Sequence, residues 1–310
     1  MSRPMSSEPT ATPHPIPADF LAHIRRIEIR ARHLVANRFL GEYHSVFRGR
    51  GIEFSEVRQY EPGDDVRAID WNVTARMGAP YIKKYVEERE LTVLLAVDIS
   101  ASSAFTTTGT SKRELAAEVA ATLAFSAAAN NDRVGFIAFT DRVEEYIPPA
   151  NDRRHVLRII RELLYLEPRG HGTDIGAMLA YLARVQKRRC IVFLISDFFD
   201  VDYERQLRAA ALRHEIVALT LTDPREEDLP NVGLLDLQDA ETGARAIVDT
   251  SDRATRVAYA RRASEARDAR HRSFAAAGVE EIALRTDEPY VAPLLRAFRT
   301  RDRRRTGHPF

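Results

Sequence analysis

The chain lacks the raw material for several common kinds of chemistry. Its 310 residues hold one Cys and one Trp. A lone Cys190 excludes an intrachain disulfide and makes a reducing compartment the default. Placed at the head of the apolar run CIVFLIS, it reads as a small core residue rather than a nucleophile. Charge imbalance is missing too: 46 Lys and Arg face 45 Asp and Glu, a net charge of +1. That leaves no global field for nucleic acid or an anionic membrane and excludes a dedicated nucleic-acid binder. Lysine is scarce, with Lys83, Lys84, Lys112 and Lys187 against 42 Arg. No run approaches the roughly 18 consecutive apolar residues of a membrane span, and the N-terminal stretch has no secretory apolar core. A cytoplasmic, soluble protein is the expectation. There is no G-x-x-x-x-G-K-[ST] and no G-x-G-x-x-G opening a helix, so any ATP hydrolysis would belong to a partner.

Residues 1–17 are rich in Pro, Ser and Thr and read as a flexible leader. From Phe20 to about Leu40, Leu21, Ile24, Ile27, Ile29, Leu34 and Phe39 recur in a helical rhythm, predicting an amphipathic helix on the main domain. Residues 41–90 are dense in Gly, Asp and Arg, with a turn signal at Pro62-Gly63. Within 18–90 they predict a small β-rich subregion with one short helix near Val66–Trp71. Apolar runs then follow at 91–97, 134–139, 191–195, 216–221 and, more weakly, 281–285, as in strands covered on both faces. Helical patterns lie between them, at Ser111 to Ala129 with a capping-box signal from Ser111 and Glu114, and at 153–166, 174–186, 202–213 and 254–277. This alternation predicts an α/β domain over 91–300, a mostly parallel sheet with helices on both faces. An insertion at about 225–250 reads as a hairpin with Gly243 in its turn. Residues 301–310 read as a basic, solvated tail.

In such a sheet ligands collect beyond the carboxyl ends of the strands. After the first run stands Asp98-Ile99-Ser100-Ala101-Ser102, and side chains at i, i+2 and i+4 of an extended strand end converge. After the third run comes Ser196-Asp197. Between them His171-Gly172-Thr173-Asp174 precedes a helix, so Thr173 can present a hydroxyl to the same crevice. Each group alone is explained by ordinary capping. Together Asp98, Ser100, Ser102, Thr173 and Asp197 form an all-oxygen set that suits a hard cation, Mg²⁺ first, with Mn²⁺ or Ca²⁺ as alternatives. Five side chains leave room for water or an external carboxylate.

Leu91 to about Arg285 resembles a von Willebrand factor A domain, and the five residues match that fold's metal-ion-dependent adhesion site. The block GRGIEFSEVRQYEPGDDVRAIDWNVTARMGAPYIKKYVEERELTVLLAVDISASS (49–103) resembles the signature of domain-of-unknown-function family fifty-eight. Members of that family are commonly encoded beside MoxR-type AAA+ ATPases. The resemblance implies a non-enzymatic partner of such an ATPase, acting in chaperone-like maturation or remodelling, or a stress response, on a client that supplies an acidic residue. Two departures stand out: many relatives carry N-terminal membrane spans this chain lacks, and Phe198 follows Asp197 where adhesion domains often have Gly.

Arg58, Asp64, Asp65, Arg67, Asp70, Trp71 and Arg76 crowd into one short block. An internal ion-pair network is the favoured account, since buried charges need partners; an interaction surface anchored by Trp71 is the alternative. Other functions compete less well. A phosphatase with Asp98 as nucleophile would need an acid where Ser100 stands, and its later acidic motif has a look-alike only upstream, at 63–70. A Ser100–His171–Asp197 hydrolase has no G-x-S-x-G elbow. A scaffold with a vestigial metal site is the third alternative.

Overall fold

A computed structural model of the chain describes residues 18–39, 43, 53–61, 64–66, 69–86 and 90–306. The leader at 1–17, Pro62-Gly63 and Arg67 lie outside the described residues.

Six strands form the central sheet in the order β10-β7-β6-β3-β4-β5. These are β3 (Thr92–Asp98), β4 (Arg133–Phe139), β5 (Val143–Ala150), β6 (Ile191–Ser196), β7 (Glu215–Thr222) and β10 (Glu280–Arg285). All neighbours run parallel except β4 and β5. The five apolar runs all became strands. The additional strand, β5, has the sequence VEEYIPPA. Pro148 and Pro149 are tolerated there because β5 is an edge strand with one side free of the ladder.

Side chains alternate across the pleat into two cores. Val93, Leu95 and Val97 face one layer, with Val119 and Leu123 of α3 (Lys112–Ala129), Ile159 and Leu163 of α4 (Arg153–Tyr165) and Phe298 of α9 (Val291–Thr306). Leu94 and Ala96 face the other, with Met178 and Leu182 of α5 (Ile175–Val185), Leu207 of α6 (Glu204–Ala211) and Phe274 of α8 (Arg253–Ala277). Helices on both faces of a mostly parallel sheet are the α/β architecture the sequence predicts.

The capping box forms as expected, Ser111 and Glu114 exchanging side-chain and backbone contacts at the start of α3. The N-terminal helix is α1 (Ala18–Leu34), continued by a π-helical turn over Val35–Phe39. Ile27 and Phe39 are buried in the main core, Phe39 edge-on to Phe298 at 6.2 Å, whereas Ile29 is exposed, contrary to the expected apolar stripe. Among the described residues the subregion holds an antiparallel pair, β1 (Glu53–Gln59) and β2 (Tyr81–Val86), with a short α-helix between them. That helix, α2 (Trp71–Met77), begins where the sequence pattern would end it. The reason is Asp70, whose carboxylate accepts from Asn72 and Val73 amides at 2.9 and 3.3 Å and so fixes the helix start behind it.

After β7 a single turn, α7 (Pro224–Glu227), leads to the hairpin β8 (Leu234–Gln238) and β9 (Arg245–Asp249), with Gly243 at φ +71° in its turn. At the far end α9 runs through Thr306, so the first residues expected as a solvated tail are helical. Arg301 is held there by Glu280 at 2.9 Å and by Glu215, which ties α9 to β10 and β7. Residues 307–310 lie outside the described residues.

Candidate metal centre

Strand β3 is flanked by β4, next in the chain, and by β6, which follows much later. This is a topological switch point, where loops leave neighbouring strands in opposite directions and open a crevice. Asp98 ends β3 and Asp197 follows β6, so both carboxylates stand at its mouth. Both are buried.

The hydroxyls converge on them by a route other than the extended strand end expected from the sequence. Beyond Asp98 the chain closes a 3₁₀ turn over Ala101–Ala104. The Ser100 carbonyl accepts from the Ser103 amide at 3.0 Å and from Ser103 Oγ at 2.7 Å, and the Ala101 amide donates to the His171 carbonyl at 3.2 Å. This turn sets Ser100 Oγ 3.1 Å from Ser102 Oγ, which donates to Asp197 Oδ2 at 2.9 Å. Asp98 Oδ1 accepts from the Ser100 amide at 2.9 Å, and its Oδ2 accepts from Ser196 Oγ at 2.7 Å. Thr173 Oγ1 lies 3.5 Å from Asp98 Oδ2. All five expected residues therefore meet in one place.

The loop that delivers Thr173 is strapped to its neighbours. Glu144 of β5 accepts from Thr140 Oγ1 at 2.7 Å and from the Arg169 and Gly170 amides at 3.1 and 2.7 Å. The Asp174 amide donates to the Thr140 carbonyl at 3.0 Å, and the Ile175 amide to Asp200 at 2.7 Å. Asp174 itself caps α5 through the Ala177 amide. Gly170 is required by close approach: a Cβ there would stand 2.2 Å from Asp141 Oδ1 and 2.3 Å from Thr140 Oγ1. His171 is an exposed loop residue, as expected.

Two side chains not singled out in the sequence complete the centre. Lys112 is buried, and its Nζ bridges Asp197 Oδ2 at 2.6 Å and Glu226 Oε1 at 2.5 Å. Burial pushes its pKa down, but Asp197 and Glu226 outweigh that and hold the ammonium above its ordinary value. A cation in the first turn of α3 opposes the helix dipole, and the two carboxylates offset it. The second is Glu241, in the hairpin turn, whose Oε1 accepts from Thr173 Oγ1 at 2.8 Å.

The set fits a hard divalent cation. Burial, then the neighbouring Asp197 charge, pushes the Asp98 carboxyl up to about 7, the mark of two carboxylates brought together out of water. Lys112 offsets only one charge among Asp98, Asp197 and Glu226. Among the described residues no three His, Cys, Asp or Glu side chains gather around one point, so hydroxyl oxygens would have to supply part of any shell. Asp98, Ser100, Ser102, Thr173 and Asp197 would hold the ion, which when bound would offer its remaining positions to an outside oxygen. Apolar side chains stand exposed on the loops after β3 and β6: Phe105, Val201 and Phe199, the last facing Lys112 Nζ at 5.6 Å from its ring centre.

Phe198 takes up a backbone conformation suited to Gly, at φ +57°, yet its ring is buried edge-on to Phe274 at 4.9 Å and beside Tyr203 at 6.2 Å. Packing thus holds the third loop in a conformation that glycine adopts more readily. Burial pushes the Cys190 thiol up to about 12, in keeping with a core residue. The charged block divides. Arg58 forks onto Asp64 at 2.9 and 2.7 Å, and Asp70 caps α2, both structural tasks. Trp71 is 70% exposed, with Asp65 and Arg76 also on the surface.

The sheet order, with its one antiparallel edge and an oxygen-rich crevice at the switch point, defines a von Willebrand factor A-like protein. The chain belongs to the family described as protein of unknown function DUF58, whose signature matches residues 56–269. An uncharacterized protein of Mycobacterium tuberculosis is 34% identical over 286 residues, which cover 91% of this chain and 90% of that one. Among solved structures, the conserved hypothetical protein BatB of Bacteroides thetaiotaomicron is similar with a TM-score of 0.43 and 19% identity, covering 70% of this chain and all of that one. The SpRpn10 VWA domain has a TM-score of 0.35 at 9% identity, over 67% of this chain and 95% of its own.

Proposed function

We propose that this chain is a non-enzymatic, metal-dependent protein-interaction adaptor. Mg²⁺, or Mn²⁺ or Ca²⁺ in its place, is held by Asp98, Ser100, Ser102, Thr173 and Asp197 and grips an acidic residue of a partner. The partners are a MoxR-type AAA+ ATPase and a client protein under maturation or remodelling, and the setting is cytoplasmic. The observation that carries this reading is the meeting of five oxygen-bearing side chains from three separate loops at one switch point, beside exposed Phe105, Phe199 and Val201. Exposed apolar side chains beside a polar anchor are what a protein partner needs. Binding rather than phosphoryl transfer is supported by the serine at position 100, where a phosphatase with Asp98 as nucleophile would need an acid. Among the described residues no helix is long and apolar enough to cross a membrane.

Affinity capture from native lysate, with Mg²⁺ or with EDTA, tests the proposal. An AAA+ ATPase or client retained with Mg²⁺, and lost with EDTA and with Asp98→Asn, is the expected outcome. The same partners in every lane would remove the metal from the grip and leave the surface around Trp71 as the interface.

A further inference from the structure

The hairpin β8–β9 is mostly exposed, with Leu234 and Ile247 turned to solvent. Its base is pinned by Thr250, which donates from its amide and hydroxyl to the Gly233 carbonyl at 2.8 and 2.7 Å and accepts from the Val232 amide at 3.1 Å. Gly233 beside it sits at φ +85°, a conformation few other residues adopt. Its tip is stiff. Asp239 Oδ1 accepts from the Glu241 amide at 3.1 Å and from the Thr242 amide and hydroxyl at 2.7 and 2.8 Å. The Gly243 amide closes the turn onto the Asp239 carbonyl at 2.9 Å.

This rigid tip aims one carboxylate into the crevice. Glu241 is half-buried, and its Oε1 takes the Thr173 hydroxyl hydrogen at 2.8 Å, against 3.5 Å for the contact of that hydroxyl with Asp98. One hydroxyl has one hydrogen, so the shorter contact holds it and leaves the Thr173 lone pairs for a cation. An acidic side chain of the chain itself thus stands beside a candidate ligand residue, on an arm pinned at its base.

We infer that Glu241 is a built-in ligand of the Thr173 hydroxyl that stands in the path of the outside carboxylate, so that the β8–β9 hairpin must swing away before a partner docks. This rests on the metal-dependent grip proposed above. A partner then has to present an acidic residue strong enough, or held close enough, to displace a tethered one, which suits a client delivered at high local concentration.

The test uses the full chain as wild type, Glu241→Ala and Glu241→Gln, with Mg²⁺ affinity measured by calorimetry with and without acetate as the carboxylate probe. Hydrogen exchange is followed over 234–249. Mg²⁺ is expected to bind all three proteins. Acetate should strengthen Mg²⁺ binding about tenfold more in Glu241→Ala than in wild type, the scale of one charge-assisted contact. Glu241→Gln, able to accept the Thr173 hydrogen but uncharged, should keep most of the hairpin protection that Glu241→Ala loses. If Mg²⁺ binds all three and neither the acetate effect nor the exchange differs, the built-in ligand is overturned while the metal grip stands. If Mg²⁺ binds none of them, the grip fails and the inference falls with it.

Discussion

Lys112 is the residue on which the electrostatics of the crevice turn. Its ammonium lies buried between Asp197 and Glu226, and removing it leaves both anions without their cation. Lys112→Met is therefore expected to cost about 3–5 kcal/mol in denaturant unfolding; a loss below about 1 kcal/mol would show the pair to be solvated. Phe198 poses the opposite balance, strain against packing. Glycine at φ +57° would recover about 1–2 kcal/mol, but deleting a buried phenyl ring costs about 3–5 kcal/mol. Packing wins, so Phe198→Gly should destabilise by about 2 kcal/mol, and a stabilised variant would contradict the assignment of the ring as anchor. The five candidate oxygen ligands were legible as a group because each follows an abrupt end to an apolar run or stands just before a helix. Lys112 and Glu241 were not: Ser111 and Glu114 account for the start of α3 without Lys112, and a hairpin turn carries no sign of what its tip will touch.

Among the elements, strands with both faces buried read most clearly, since a short continuous apolar run between helical patterns suits little else than a covered strand. β5 hid because its residues are half-exposed and include two prolines, a pattern that resembles a loop until the edge position is known. α9 is absent from the helices predicted from the sequence; its basic second half carries no apolar rhythm, and long-range ion pairs of Arg301 hold its last turns. At this scale the loop carrying Thr173 makes the sharpest prediction. Gly170→Ala would force a Cβ against Thr140 and Asp141, at separations of 2.3 and 2.2 Å that no relaxed contact permits. Asp141 is exposed and can swing aside, but Thr140 is buried and bound to Glu144, so the loop must give way to it; the variant should stay folded by circular dichroism while its Mg²⁺ affinity falls by about tenfold or more, the cost of misplacing one ligand. Unchanged affinity would place Thr173 outside the metal shell.

Across the whole molecule, two cores share one sheet, and the junction of β6 with β7 carries a titratable group inside the second. His214 is buried with Nδ1 3.3 Å from Cys190 Sγ, and among the described residues its Nε2 has no hydrogen-bond partner. Burial, then Arg213 and Arg189, lower its pKa from the usual 6.5. The unfolded chain thus takes up this proton at higher pH than the folded one, so the stability His214 contributes is full above pH 6.5 and declines as pH falls below it. Asp98, raised to about 7, works in the opposite sense in both proteins, so the His214 effect is read as a difference: from neutral to mildly acidic pH, wild type should lose unfolding free energy relative to His214→Leu. Equal slopes would show that His214 titrates alike in both states.

Binding of a divalent cation by the five named residues, in the crevice at the ends of β3 and β6, stands or falls on one measurement. The most direct measurement is thermal unfolding with and without Mg²⁺, on wild type, Asp98→Ala and Ser102→Ala, each compared only with itself. A ligand that binds only the folded state stabilises it by about 2.7 kcal/mol at a hundred times its dissociation constant. If the crevice binds the ion, the wild-type midpoint rises by several degrees, the rise is lost in Asp98→Ala, and it is reduced in Ser102→Ala. No shift in wild type, or an equal shift in all three, would contradict binding there.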